Sequence, residues 1–436
     1  MGELSPMEEI ANPRAFLEQL FQTAVSAADP KKILSGHIPR PVKGRTVVVG
    51  AGKASAALAA AFEQEWIAAG HGALEGLVVT QYGYAAHCDH IAIVETRHPV
   101  PDENGLQAGR RVYELAKSLG PDDQLVALIS GGGSSLLTLP PDEIGLATKQ
   151  YINRELLKSG ASIGEMNCIR KHFSQIKGGR LTVAAWPAKV RSLVLSDVPG
   201  DELYQVASGP TIPDPSDQKE ALRIIERYDI DLPQSAKDWI QAQKCVAPTP
   251  EIAEFKNAEV ILIGSAQTSL KAAADRAAAL GVTAHILSDS MEGEAREIAK
   301  AHVGIINQIN KHAQPFTPPC VLLSGGETTV TLRQKGKGGR NTEFLLSLAQ
   351  GIQGQKDIHA LAADTDGIDG SQDNAGAFCD GTTIYRIQSA GVDPENALAN
   401  NDAWTAFSAS GDLFVTGPTQ TNVNDFRAIL IATSPG

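Results

Sequence analysis

The chain has 436 residues, 42% of them hydrophobic and 20% charged, with a net charge of −12 at pH 7. That length exceeds what a single hydrophobic core usually serves, so two domains are expected. The acid excess argues against a nucleic-acid or anionic-membrane partner, and any anionic ligand must be met by a local positive pocket.

Five cysteines, Cys88, Cys168, Cys245, Cys320 and Cys379, are scattered with no pair at metal or redox spacing, and are read as reduced thiols. Glu3, Glu8 and Glu9 stand where a signal peptide would carry basic residues. No run approaches the ~20 apolar residues of a membrane span. A cytoplasmic protein is expected.

From Pro13 to Ala28, Phe16, Leu17, Leu20, Phe21, Ala24 and Val25 share one helical face. After a proline-containing link, the strand-like runs TVVVG, GLVVT, IAIVE, DQLVALIS and SLVLSD alternate with helical stretches. Continuous Val, Ile and Leu runs of this kind suit a parallel sheet covered on both faces. The stretch Ala247 to Pro250 reads as a boundary, giving domains 1–250 and 251–436. A second series follows: EVILIG, a helix through KAAADRAAALG, TAHILSD, VLLSGGETTVTL, a helix from Asn341, HALAAD, DLFVTG and RAILIAT. The segment from EVILIG to ILSD suits either domain, and the Gly-Gly-Glu between two β-runs suits a hairpin or a bulged turn. The fold class is α/β: a Rossmann-like parallel sheet in the N-terminal domain and a smaller mixed α/β C-terminal domain.

Loops rich in glycine and hydroxyl groups close several strands. The first, GAGKAS, holds Gly50, Gly52, Lys53 and Ser55. It fits neither standard nucleotide fingerprint. A Walker loop needs glycine at Val47 and Ser or Thr at Ala54, and a dinucleotide loop needs glycine at Ser55. The others are Gly131-Gly132-Gly133-Ser134-Ser135, LIGSAQTS near Gly264, and LLSGGETT with Gly325, Gly326 and Glu327. Glycine loops that lead into helices offer amides to anions, and in open α/β sheets they lie where ligands bind.

Two basic stretches stand out against the acidic average. IRKHFSQIKGGRL carries Arg170, Lys171, Lys177 and Arg180; RQKGKGGRNTEF carries Arg333, Lys335, Lys337 and Arg340, followed by Asn341. SDVPGDE and ADTDGIDG cluster acids at strand ends, and Asp197, Asp201, Asp364 and Asp366 are candidates for Mg²⁺ or for orienting a hydroxyl. Asp-Gly loops also serve as plain turns. The spacing D-x-D-G-x-D lacks the twelfth-position Glu of an EF-hand loop, which excludes calcium of that kind. His98 and His172 are read as structural.

In order, VVGAGKAS, RHPVPDENG, LISGGGSSLL, IRKHFSQIKGGRL, LVLSDVPGDE with SGPTIPDPS, LLSGGETTV, GGRNTEF, AADTDGIDG and the closing NDAWTAFSASGDLFVTGPTQTNVND resemble one family over nearly the whole chain. This is the glycerate 2-kinases with a C-terminal MOFRL domain. The resemblance implies ATP-dependent phosphorylation of D-glycerate at its 2-hydroxyl, with Mg²⁺ or a similar cation. It also implies an active site in the cleft between two α/β domains, and a homodimer is compatible with it. Lys53 and Arg340 match its active-site lysine and arginine. The remaining loop residues, with Arg170 and Lys171 for the substrate carboxylate, complete the expected binding set. Two rivals are an NAD(P)H-dependent hydroxypyruvate reductase and a non-catalytic sugar-phosphate sensor. Against the reductase, the third fingerprint glycine is missing and GLVVTQYG ends with no acid for a ribose hydroxyl.

Overall fold

The structure is a computed structural model that describes residues 12–242 and 247–432. Glu3, Glu8, Glu9 and Cys245 lie outside the described residues. The other four cysteines are unpaired thiols. No helix among the described residues is long and apolar enough to cross a membrane.

The chain forms two compact units, one from Pro30 to Ile263 and the other from Gly264 onward together with the N-terminal helix. The first unit holds a six-stranded sheet. Its strands are β1 (Thr46–Ala51), β2 (Glu75–Gln81), β3 (Ile91–Thr96), β4 (Gln124–Ile129), β5 (Lys189–Leu195) and β6 (Ala258–Gly264). Their order is β3-β2-β1-β4-β5-β6, and the pairs β3–β2, β2–β1, β1–β4 and β4–β5 are parallel. That is the doubly wound order with its switch point between β1 and β4. Every residue of β1 and β4 is buried, as continuous apolar runs require.

The helices of this unit that matter below are α2 (Ser55–Ala68), the short α3 (Gly133–Leu136), α4 (Gly145–Ser159) and α5 (Ile163–His172). Ser162 starts α5 with a capping box to Glu165.

The second unit holds β7 (Thr283–Ser288), β8 (Cys320–Gly326), β9 (Ile358–Asp364), β10 (Gly376–Asp380), β11 (Leu413–Phe414) and β12 (Asp425–Ile431). The order is β11-β10-β9-β12-β8-β7, antiparallel except for β7 with β8. Phe344, Leu345 and Leu348 of the helix Arg340–Gly351, designated α6, pack with Ile306 and Ile309 in one core cluster. A second cluster joins Phe16, Leu20 and Phe21 to Leu270, Leu323 and Phe426.

That second cluster changes the expected division. The N-terminal helix α1 (Pro13–Ala27), capped by Asn12, belongs to the second unit: Phe21 meets the rings of Phe414 and Phe426 edge-on at 5.2 and 5.8 Å. β6 completes the first sheet and β7 enters the second, so the chain changes unit at Gly264 rather than at 250. Gly-Gly-Glu forms no hairpin. At Gly326 (φ +117°) the chain leaves β8, and Thr328–Thr329 pair in parallel with Gly293–Glu294.

Candidate active site

The loop after β1 is built to lock strands together. The Gly52 amide donates to Val79 O (3.1 Å), Lys53 N to Gly131 O (2.8 Å) and Ala54 N to Ser130 Oγ (3.1 Å). Ser55 is fully buried and donates its hydroxyl to Leu128 O at 3.0 Å. At Gly52 (φ +147°) a Cβ would collide with Ser130. Gly50, Gly52 and Ser55 therefore serve the β1–β4 junction, a structural role the sequence reading did not give them. Lys53 is the half-buried side chain of this loop.

The triglycine loop is different. Among the described residues, the amides of Gly132, Gly133 and Ser134 take no backbone acceptor. Gly132 is left-handed (φ +77°), and a Cβ there would stand 3.3 Å from the His98 ring and 3.3 Å from Lys53 Cγ. A Cβ on Gly131 would run into the Asp197 carboxylate. Lys53, His98 and Asp197 thus converge on Gly131–Gly133. Of these, His98 is the one whose position the sequence did not assign.

On the far side of the loop, Ser134 Oγ lies 2.8 Å from Ser208 Oγ, and Ser208 donates to Asn167 Oδ1 at 2.9 Å. Ser135 donates back to Gly132 O at 3.2 Å. Asp201, at φ +56°, belongs to the turn after β5 and donates its amide to Val198 O.

The first basic stretch is mostly internal. Lys171 is fully buried, paired with Asp214 and bonded to Ser216 O at 2.7 Å, so it does not face a ligand. This removes it from the expected carboxylate site. Lys177 is also fully buried and donates to Leu137 O at 3.1 Å; burial and then the nearby Arg170 push its pKa down to about 7. Arg180 is tied to Lys171 O and Lys177 O. Arg170 is half-buried, and burial lowers its pKa to about 10.

The second unit presents a separate cluster, created by strand register. Asp364 on β9 pairs across from Asp425 on β12, and Asp425 pairs across from Gly326 on β8. Three strand ends therefore line up, and Arg340 at the start of α6 reaches all of them. Its Nε donates to Asp425 (2.6 Å), Nη1 to Glu327 (2.9 Å) and Nη2 to Asp364 (2.7 Å). Burial opposes its charge, but Asp425, Asp364 and Glu327 outweigh that and hold its pKa well above the ordinary value.

Behind it, Arg427 is fully buried, pairs with Asp425, donates to Gly325 O (3.3 Å) and lies over the Phe344 ring. Asn341 Nδ2 donates to Asp425 at 2.8 Å. Asp369 accepts the amides of Asn341 and Thr342, both at 2.9 Å. The amino end of α6 is therefore filled by the protein's own carboxylate. Asp425, Arg427 and Asp369 were absent from the expected site.

The expected metal carboxylates do not make a cage. Asp197 and Asp201 belong to one unit, Asp364 and Asp366 to the other. Asp364 holds Arg340 with one oxygen and the Asp366 amide (3.1 Å) with the other, and Asp366 accepts the Ile368 amide at 2.9 Å. Among the described residues no group of three or more His, Cys, Asp or Glu side chains is placed to hold a metal ion.

Residues 16–241 match the family described as Domain of unknown function (DUF4147), and residues 320–425 match the MOFRL family. An Agrobacterium vitis protein named "Putative hydroxypyruvate reductase" is 49% identical over 96% of this chain and 94% of its own. The D-glycerate 2-kinase of Thermotoga maritima is 40% identical over 95% of this chain and 97% of its own. The crystal structure of glycerate kinase from the same organism superposes with a TM-score of 0.82 at 39% identity, covering 95% of this chain and 98% of that one. The chain belongs to the glycerate kinase family with a C-terminal MOFRL domain.

Proposed function

We propose that this chain is a D-glycerate 2-kinase, moving the γ-phosphoryl group of ATP to the 2-hydroxyl of D-glycerate and releasing ADP and 2-phosphoglycerate. The observation that carries the reading is where the amides point. A dinucleotide-dependent reductase of this topology holds the cofactor pyrophosphate on the amides of the first βα turn. Here the Gly52 amide is taken by β2, and those of Lys53 and Ala54 by Gly131 and Ser130 in the loop that follows β4. The amides left over belong to the triglycine loop, beside Lys53. That pairing suits a transferable phosphoryl group, whose loose transition state asks for positioning and charge neutralisation.

In this reading Lys53 is a point charge on the transferring phosphoryl group, and the Gly132–Ser134 amides hold its oxygens. Asp197, against Gly131, accepts the proton of the attacking 2-hydroxyl. Arg340 is tethered by buried Asp425 and Asp364, while its third partner, Glu327, is 47% exposed. Mg²⁺ bound with the nucleotide would supply charge neutralisation at its phosphates. Among the described residues no group of three or more His, Cys, Asp or Glu side chains is placed to hold it.

One pair of assays tests this against the reductase reading. ATP-dependent consumption of D-glycerate supports it. NAD(P)H oxidation with hydroxypyruvate and no ATP-dependent turnover would replace it.

A further inference from the structure

Three basic side chains cluster in the first unit with no acidic partner among the described residues. Lys149 on α4, Arg170 on α5 and Lys177 are all buried or half-buried. Arg170 works against the charge of both lysines, and Lys177 against that of Lys149. None of the three forms an ion pair among the described residues. Lys171, the next residue after Arg170, makes the contrast: it is as deeply buried, and the fold gives it Asp214. Burying three like charges together without an anion is costly.

The cluster is held by neutral oxygens alone. Lys149 Nζ donates to Arg170 O at 2.9 Å, Lys177 Nζ to Leu137 O at 3.1 Å, and Arg170 Nη1 to Asn167 Oδ1 at 3.3 Å. Arg170 Nε is buried without a hydrogen-bond partner, and Nη2 meets only the Met166 sulfur at 4.0 Å. The Nε–Nη2 edge of a guanidinium is one that grips a carboxylate through two parallel N–H bonds, and here it lacks an oxygen acceptor. The third nitrogen, Nη1, ties the guanidinium to the triglycine loop through hydrogen bonds. Asn167, which accepts from Arg170, also accepts from Ser208, which contacts Ser134; Leu137 follows directly on α3.

We propose that the Nε–Nη2 edge of Arg170, backed by Lys149 and Lys177, binds the carboxylate of a small 2-hydroxy acid beside the Gly131–Ser135 loop. Two parallel donors on one edge match a planar two-oxygen anion better than a tetrahedral phosphate. Lys149 and Lys177 are positioning residues: burial lowers their pKa values in the free protein, and a carboxylate bound nearby favours their charged forms without touching them. The identity of the acid as D-glycerate rests on the kinase reading; the site itself does not.

The test titrates D-glycerate calorimetrically into the full chain without nucleotide, then compares kinetics with D-glycerate and with glycerol, which lacks the carboxylate. Arg170→Lys keeps the charge and loses the fork. It should weaken D-glycerate binding by about tenfold to a hundredfold, leave the KM for ATP within about twofold, and narrow the preference for D-glycerate over glycerol. Unchanged D-glycerate affinity, or a rise in the KM for ATP instead, overturns the site. Lys149→Met should weaken D-glycerate binding without lowering the melting temperature of the ligand-free protein, because a repelled buried charge has gone. A lower melting temperature with unchanged affinity makes the cluster structural and overturns it too. D-glycerate that binds the parent but is never phosphorylated sinks the kinase reading alone. A parent that binds neither D-glycerate nor hydroxypyruvate sinks the site.

Discussion

Lys53 and Gly132 are packed against each other: a Cβ on Gly132 would stand 3.3 Å from Lys53 Cγ and as close to the His98 ring. Because Gly132 is also left-handed, Gly132→Ala combines a backbone cost of roughly 1–2 kcal/mol with pressure on both side chains. We expect at least a tenfold fall in turnover, on the scale of a small misplacement of a reacting group, with a modest drop in melting temperature. Full turnover in that variant would place the loop outside the site.

Lys53→Ala should separate catalysis from folding. The locks between β1 and β4 run through backbone amides and Ser55, all of which the variant keeps. Turnover should fall by roughly 10²-fold or more, the scale of one lost electrostatic contact to developing charge. Urea unfolding should stay near the parent. Near-parent turnover would leave GAGKAS as a strand junction only.

The two sheets were legible in the sequence because apolar runs and helical periodicity are local. What the runs meet is not local. The face of the first helix could be read, but not that Phe21 seats it against Phe414 and Phe426 of the distant second unit. Gly50 and Gly52 looked like phosphate glycines; their reason is the close approach of β4, visible only once β1 and β4 pair. Asp425 was missed because its importance comes from register, which sets it between Asp364 and Gly326. Lys171 was expected at the substrate carboxylate because sequence gives residue type and not depth.

Arg340 braces three strand ends, and two variants test whether it also acts in turnover. Arg340→Ala leaves Asp364 and Asp425 without their guanidinium and should cost on the order of 3 kcal/mol in chemical unfolding as well as turnover. Arg340→Lys reaches one carboxylate of three. It should bind ATP within a few-fold of the parent yet lose roughly 10²-fold in turnover, since an ammonium lacks the two-pronged donation of a guanidinium. An active Arg340→Lys enzyme would make Arg340 a brace alone.

Lys177 sets a pH dependence with a definite sign. Burial, then Arg170, lowers its folded pKa to about 7, while an unfolded lysine titrates near ~10.4. Between those values the unfolded chain holds a proton that the folded chain does not, so stability rises with pH across the window. As pH falls through about 7, that difference is lost. In Lys177→Met this rise should be shallower in unfolding free energies measured at several pH values, because Lys149, also pushed down by burial, keeps its own share. A variant with the parent's slope would contradict the assignment.

The central claim is the reaction itself, and the position of the new phosphate tests it most directly. The full chain is incubated with ATP, Mg²⁺ and D-glycerate, and the product is read by phosphorus NMR. The kinase reading predicts 2-phosphoglycerate, formed in step with ADP. 3-Phosphoglycerate as the main species, or no phosphorylated product while NADPH reduces hydroxypyruvate, would contradict it.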